Sequence, residues 1–134
     1  MKLLHTCHTY WPLADGVAIV MQRISEGLAA RGHEVTVATG PADAPSLEVN
    51  NGVAIRRFNI GGNEVGGYTG DTEPYVRLVT SFCGDVMFNY AAQTCTTDLV
   101  LGVLPRLTCA KVIAPCGYSA LRNARYAGYF AQMP

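Results

Sequence analysis

KLLHTCHTYWPLADGVAIVMQRISEGLAARGHEVTVAT, residues 2 to 39, decides the fold. It opens on a short apolar run, KLLHTC (2–7), that ends in polar loop residues, the pattern of a buried parallel strand. From Val17 onward, Val17, Val20, Met21, Ile24 and Leu28 recur at helical spacing with Gln22, Arg23 and Glu26 opposite, so one apolar stripe faces a core. Asp15 is the candidate cap of that helix and Gly32 its candidate stop. EVTVAT (34–39) follows at once, short and β-branched. Strand, helix and strand form one βαβ unit, right-handed by general rule, with the helix on one face of a parallel sheet.

Outward from this unit the signals are shorter. GPADAPSLEVNNG (40–52) is rich in turn formers and reads as a loop, and VAIRRFNI (53–60) as a third strand whose Arg56-Arg57 pair suggests a sheet edge. GGNEVGGYTGDTEP (61–74) holds five glycines and reads as a mobile loop, either a connector or a segment that orders around a ligand. A helix over 74–83 carries Tyr75, Val76, Val79 and Phe82 on one face; DVMFNY (85–90) is a fourth strand. A helix over 96–107 must kink or end early at Pro105, and AKVIAP (110–115) is a fifth strand. Leu121, Tyr126, Tyr129, Phe130 and Met133 indicate a last helix whose aromatic stripe packs against a core or a neighbouring surface. The sum is a single domain over residues 1–134, an open doubly wound α/β fold with about five parallel strands.

Composition narrows the function classes. Ten basic residues balance ten acidic ones with no Lys/Arg run, which excludes the basic patch that nucleic acid or an anionic membrane would need. MKLLHTC is far short of a signal-peptide core or a membrane span, and five cysteines without a C-x-x-C pair suggest reduced thiols. The expected compartment is the cytoplasm.

In an open parallel sheet, ligands bind beyond the carboxyl ends of the strands where the winding reverses. The joint 8–20, Asn89-Tyr90 and PCGYS (115–119) all fall at such ends. Gly16 at the helix start allows backbone to approach a ligand, and the helix dipole there favours an anion, although the Asp15 carboxylate opposes one. Tyr10 and Trp11 either stack on a sugar ring or anchor their loop in the core. His5, Cys7 and His8 lack a second ligand cluster, so no metal is expected. Cys116 pairs with His8 as thiol and imidazole only if the fold joins them.

The composite pattern resembles a known family. Residues 1–40 are similar to the opening of family 4 glycosyltransferases, whose two-domain GT-B fold begins with a strand, a proline-bearing loop, a Gly-Gly turn and a helix ending R-G-H-E-V-x-V. NNGVAIRRF resembles that family's third strand, DVMFNY its D-V-V-H segment, and KVIAPCGYSALRNARYAGYF its K-x-V-x-x-P-H-G stretch with a later tyrosine. The likeness covers the whole chain but only the N-terminal, Rossmann-like half of the architecture; the family's donor-side E-x-x-x-x-x-x-E does not occur.

The resemblance implies an acceptor-side domain of a retaining, metal-independent enzyme that transfers sugar from a nucleotide-diphosphate sugar to an acceptor hydroxyl. The expected partners are that donor and a sugar or lipid acceptor, with no further cofactor, and a truncated domain of this kind is expected to be inactive alone. Carried over by position, the binding residues are Asp15, Gly16 and Val17 at the turn, Tyr10 and Trp11 before it, Asn89 and Tyr90, and Cys116, Gly117 and Tyr118. Asp15 replaces the family's first glycine, while Cys116 and Tyr90 stand where histidines are frequent, and a thiol does not substitute simply for an imidazole. The competing expectation is a non-catalytic subunit that binds acceptor, self-associates or docks on a donor-binding chain through the aromatic tail. A small reductase or nucleotide binder is disfavoured by the missing G-x-G-x-x-G and by Thr39-Gly40 where an acidic residue would end strand two.

Overall fold

The computed structural model describes residues 1–43 and 46–133. The βαβ unit is present as β1 (Lys2–Cys7), α1 (Gly16–Ala29) and β2 (Glu34–Thr39), with β1 and β2 parallel from Lys2↔Glu34 to Cys7↔Thr39. Asp15 caps α1, its carboxylate accepting the Ala18 N–H at 2.9 Å, and Gly32 takes φ +84° just past the helix end. β3 (Ser46–Asn50) and β4 (Val53–Arg57) follow, then β5 (Ile60–Asn63), β6 (Gly67–Gly70), α2 (Glu73–Thr80), β7 (Val86–Tyr90), α3 (Cys95–Leu101), β8 (Ala110–Ala114) and a short α4 (Ala127–Phe130).

The main sheet has six strands in the order β3-β4-β2-β1-β7-β8, and all its pairings are parallel except β3 with β4. Alternation along β1 sorts the core into two layers. Leu3 and Cys7 pack with Met21, Val35, Val37, Val53 and Ile55 on the α1 side, whereas Leu4 packs with Tyr75, Val79, Met87 and Val100 under α2 and α3. The result is a mostly parallel sheet flanked by helices, an arrangement compatible with a Rossmann-like fold.

Four expectations are corrected. Part of the loop expected over 40–52 is the strand β3, joined to β4 by Asn51-Gly52 with φ of +47° and +79°, a turn whose twist suits an antiparallel hairpin; positions 44 and 45 lie outside the described residues. β4 is therefore interior, and its Arg57 is held by Glu48 at 2.7 Å rather than fringing an edge. The glycine-rich stretch 61–74 is the β5–β6 hairpin leading into α2. Its glycines serve close approach: Gly62 and Gly70 both sit near φ +80°, and a Cβ on either would strike the facing backbone carbonyl of Gly67 or Asn59. The tail forms only a 3₁₀ turn (Ala124–Tyr126) and the four residues of α4, with Tyr129 buried and Leu121 exposed; Pro134 lies outside the described residues.

Candidate functional site

Thr39, Cys7, Tyr90 and Ala114 stand in one row across β2, β1, β7 and β8, so the loops that leave them meet at one end of the sheet. The winding reverses here, since α1 carries the chain from β1 to β2 and α3 carries it from β7 outward to β8. Three loops surround the reversal: 8–15, 91–94 and 115–120.

Backbone conformation marks two of them. Among the described residues five non-glycines have positive φ, and four of these, Ala91, Gln93, Cys116 and Ala120, lie in the loops after β7 and β8. Such conformations cost about 1 kcal/mol each and persist where the surroundings over-determine them, which is characteristic of binding sites. The Gln93 side chain supplies that determination by accepting the Ser119 N–H at 2.6 Å and donating to the Ser119 carbonyl at 2.9 Å. Its own N–H donates to the Tyr129 hydroxyl at 2.9 Å.

The structure separates the expected site residues by depth. Gly16 and Gly117 are exposed and an added Cβ at either meets nothing within 4 Å, so the space above both is open. Asp15 and Cys116 are exposed beside them, Tyr118 is 38% exposed with its ring edge-on to Phe130, and Tyr90 and Val17 are half-buried. Tyr10, by contrast, is 1% exposed and packs with Met21 in the α1-side core, so its ring is closed to a stacking ligand. Trp11 lies half-buried against the same cluster, and its carbonyl accepts from Arg57. Asn89 is wholly buried near the end of β7, its side-chain oxygen taken by the Thr6 hydroxyl and its side-chain nitrogen without a partner among the described residues.

Electrostatics refines the picture. The helix-start anion site is occupied by the protein itself, because Asp15 takes the Ala18 N–H and the Thr9 hydroxyl, both at 2.9 Å. The first of these bonds holds the Asp15 carboxyl below its usual range, leaving a negative charge where a phosphate would sit. His8 meets Cys95, not Cys116: its Nδ1 lies 3.5 Å from the Cys95 thiol. Burial pushes that thiol up to about 11, so it is no thiolate near neutrality, and burial also lowers His8, which stays a neutral imidazole. Cys116 lies instead against Tyr90, whose hydroxyl it pushes up. His5, 2% exposed, bonds Ser25 across the α1 interface at 2.8 Å and belongs to the contact between helix and sheet. Among the described residues no three His, Cys, Asp or Glu side chains converge to hold a metal ion.

Gln93, Cys95, Asp98 and Tyr129 were invisible to sequence reasoning as site residues. Asp98, 4% exposed, accepts the Glu64 N–H at 3.0 Å and so ties the β5–β6 hairpin to α3. Burial raises its carboxyl, and the Tyr129 hydroxyl faces it.

Fold and loops together define an α/β domain whose loops 8–15, 91–94 and 115–120 leave the carboxyl ends of its parallel strands at one end of the sheet. Compared with known proteins, the chain matches no family model and no curated protein. Among the described residues no helix is long and apolar enough to cross a membrane.

Proposed function

We propose that this domain is the acceptor-side half of a family 4 glycosyltransferase of GT-B architecture, binding a hydroxyl-rich acceptor in the crevice between loops 8–15, 91–94 and 115–120. The observation that carries the reading is the left-handed backbone at Ala91, Gln93, Cys116 and Ala120, all in the loops that leave β7 and β8 where the winding reverses. Neutral His8 is the one imidazole at this end of the sheet and can hydrogen-bond a hydroxyl; ionised Asp15 repels a diphosphate and suits a neutral polyol. The donor and its diphosphate then belong to a second domain, and transfer requires both walls, because positioning and leaving-group stabilisation supply the rate.

The test is ligand-detected NMR on residues 1–134 with a panel of mono- and disaccharides and, separately, nucleotide-diphosphate sugars. Expected are saturation transfer to a sugar, with Gly117 and Tyr118 amides shifting, and no turnover of any nucleotide sugar. Sugar transfer by this domain alone, or shifts confined to residues away from the three loops, refutes the reading. A second reading, a docking subunit, is favoured by the exposed Leu121 and Tyr118 beside Phe130. A light-scattering mass of one chain at all concentrations, with no copurifying partner, opposes it.

A further inference from the structure

We propose that Gln93 is the positioning residue of the crevice, fixing the shape of the wall that presents Cys116, Gly117 and Tyr118. This inference rests on the crevice being the binding site, and not on which ligand it takes. After β8 the chain leaves the sheet through Cys116 at φ +60°, Gly117 at φ +110° and Ala120 at φ +55°; glycine takes such a turn freely, but Cys116 and Ala120 do not favour theirs unaided. Backbone bonds from Ala91 and Ala92 hold Ala114 and Pro115, but beyond Pro115 support passes to a side chain. Among the described residues, the bonds from Ser119 to the neighbouring loop are the two made by the Gln93 amide, one received and one donated. A primary amide is the group that does both at once, as it carries an acceptor oxygen and a donor nitrogen on one plane.

Gln93 is itself braced. Its φ of +59° aims the side chain across the gap, its N–H is received by Tyr129, and Tyr129 is 2% exposed against Asp98. Asp98 in turn holds Glu64 of the β5–β6 hairpin. A line of contacts thus runs from hairpin to α3 to the tail to the 115–119 wall, with Gln93 as its last link.

The test uses the chain itself and amide hydrogen exchange read by NMR. Gln93→Gly removes the side chain at a position whose backbone suits glycine, so the protein folds with a melting temperature equal to or above that of the parent. Despite that, exchange at Ser119 is expected to accelerate about tenfold or more, while Val37 in β2 keeps its parent rate. Gln93→Glu retains the acceptor for the Ser119 N–H but sets a carboxylate oxygen against the Ser119 carbonyl, and is expected to protect Ser119 less than the parent and more than Gln93→Gly. Unchanged exchange at Ser119 in Gln93→Gly, or an equal rise at Val37, overturns the proposal. A parent chain that binds no sugar refutes the proposed function and leaves these rates as they are.

Discussion

Acidification isolates one buried group. His5 is 2% exposed, bonded to Ser25 at 2.8 Å and edge-on to Phe88 at 5.6 Å between ring centres, and burial lowers its pKa from 6.5 to about 4. The neutral ring is the form that the folded state accepts. In the unfolded chain His5 gains its proton as pH falls through 6.5, whereas in the folded chain it does so only near 4. The unfolded state therefore binds more protons in that window, and stability is lost as pH drops through it. The gap of about 2.5 pKa units converts, at 1.36 kcal/mol per unit, to about 3 kcal/mol lost between pH 7 and pH 4, of which about 1 kcal/mol is gone by pH 5.5. Urea unfolding of the parent and of His5→Gln at those three pH values measures it. Other groups titrate too, His8 in the same sense and Asp98 in the opposite one, so the quantity that matters is the difference between the two proteins. His5→Gln removes the titration and can still bond Ser25, and the difference should swing by about 3 kcal/mol in its favour as pH falls from 7 to 4. Parallel stability curves, or a His5 ring that titrates near 6.5 by NMR in the folded chain, refute the reasoning.

Three further substitutions separate fold from site. In Gly16→Ala the added methyl meets nothing, so thermal stability should hold within about 0.5 kcal/mol while the affinity of any crevice ligand measured by titration falls. Gly62→Ala forces a side chain to φ +79° and into the Gly67 carbonyl; calorimetry should record a loss of at least about 2 kcal/mol, with hairpin amides exchanging first. Asp15→Ala removes the α1 cap and should cost about 1 kcal/mol at neutral pH in chemical denaturation. Because the Asp15 pKa is lowered below 3.8, that contribution is present above this value and disappears as pH falls through the folded-state pKa, so parent and variant should converge in strong acid.

The five parallel strands were legible because each is a short run rich in apolar residues and bounded by turn formers; β1 and β2 bury nearly all of theirs, whereas the edge strand β8 leaves Val112 46% exposed. β3 escaped notice because Leu47 and Val49, 67% and 73% exposed, contribute no buried pattern, and the Asn51-Gly52 turn was submerged in a stretch rich in turn formers. Glycine carried two meanings that sequence cannot separate. At 61–74 the sequence reads as freedom, whereas Gly62 and Gly70 permit two backbones to touch. That the three loops leave the sheet at one end followed from topology alone, but the contacts among them did not. His8 and Cys95 are 87 residues apart, Gln93 and Ser119 26 apart, and no local pattern announces such pairs. Tyr10 illustrates the converse, an aromatic at the right place in the chain whose ring points into the core.

The strand-end loops stand as strained walls over a floor that is bonded at Thr6, Tyr75 and Thr97 and that leaves the buried Asn89 Nδ2 without a partner among the described residues, and this division bears on how a site there can work. Beneath it, Thr6 and Asn89 bond one another, Tyr75 donates to the Thr96 carbonyl at 2.6 Å, and the Thr97 hydroxyl donates to the Ala91 carbonyl at 2.6 Å. Low dielectric strengthens these bonds and makes their rupture expensive, so the floor is rigid. The bond from Thr97 also holds Ala91 at φ +72°, and Gln93 holds the opposite loop, so each strained turn is fastened by a side chain from a neighbouring element. Four left-handed residues at about 1 kcal/mol apiece would unwind in isolated loops. Fastened in this way they present a fixed backbone surface, and a ligand that fits it loses little to ordering the protein. Pre-formed walls of that kind favour recognition by shape and hydrogen bonding over ordering of the protein around its ligand.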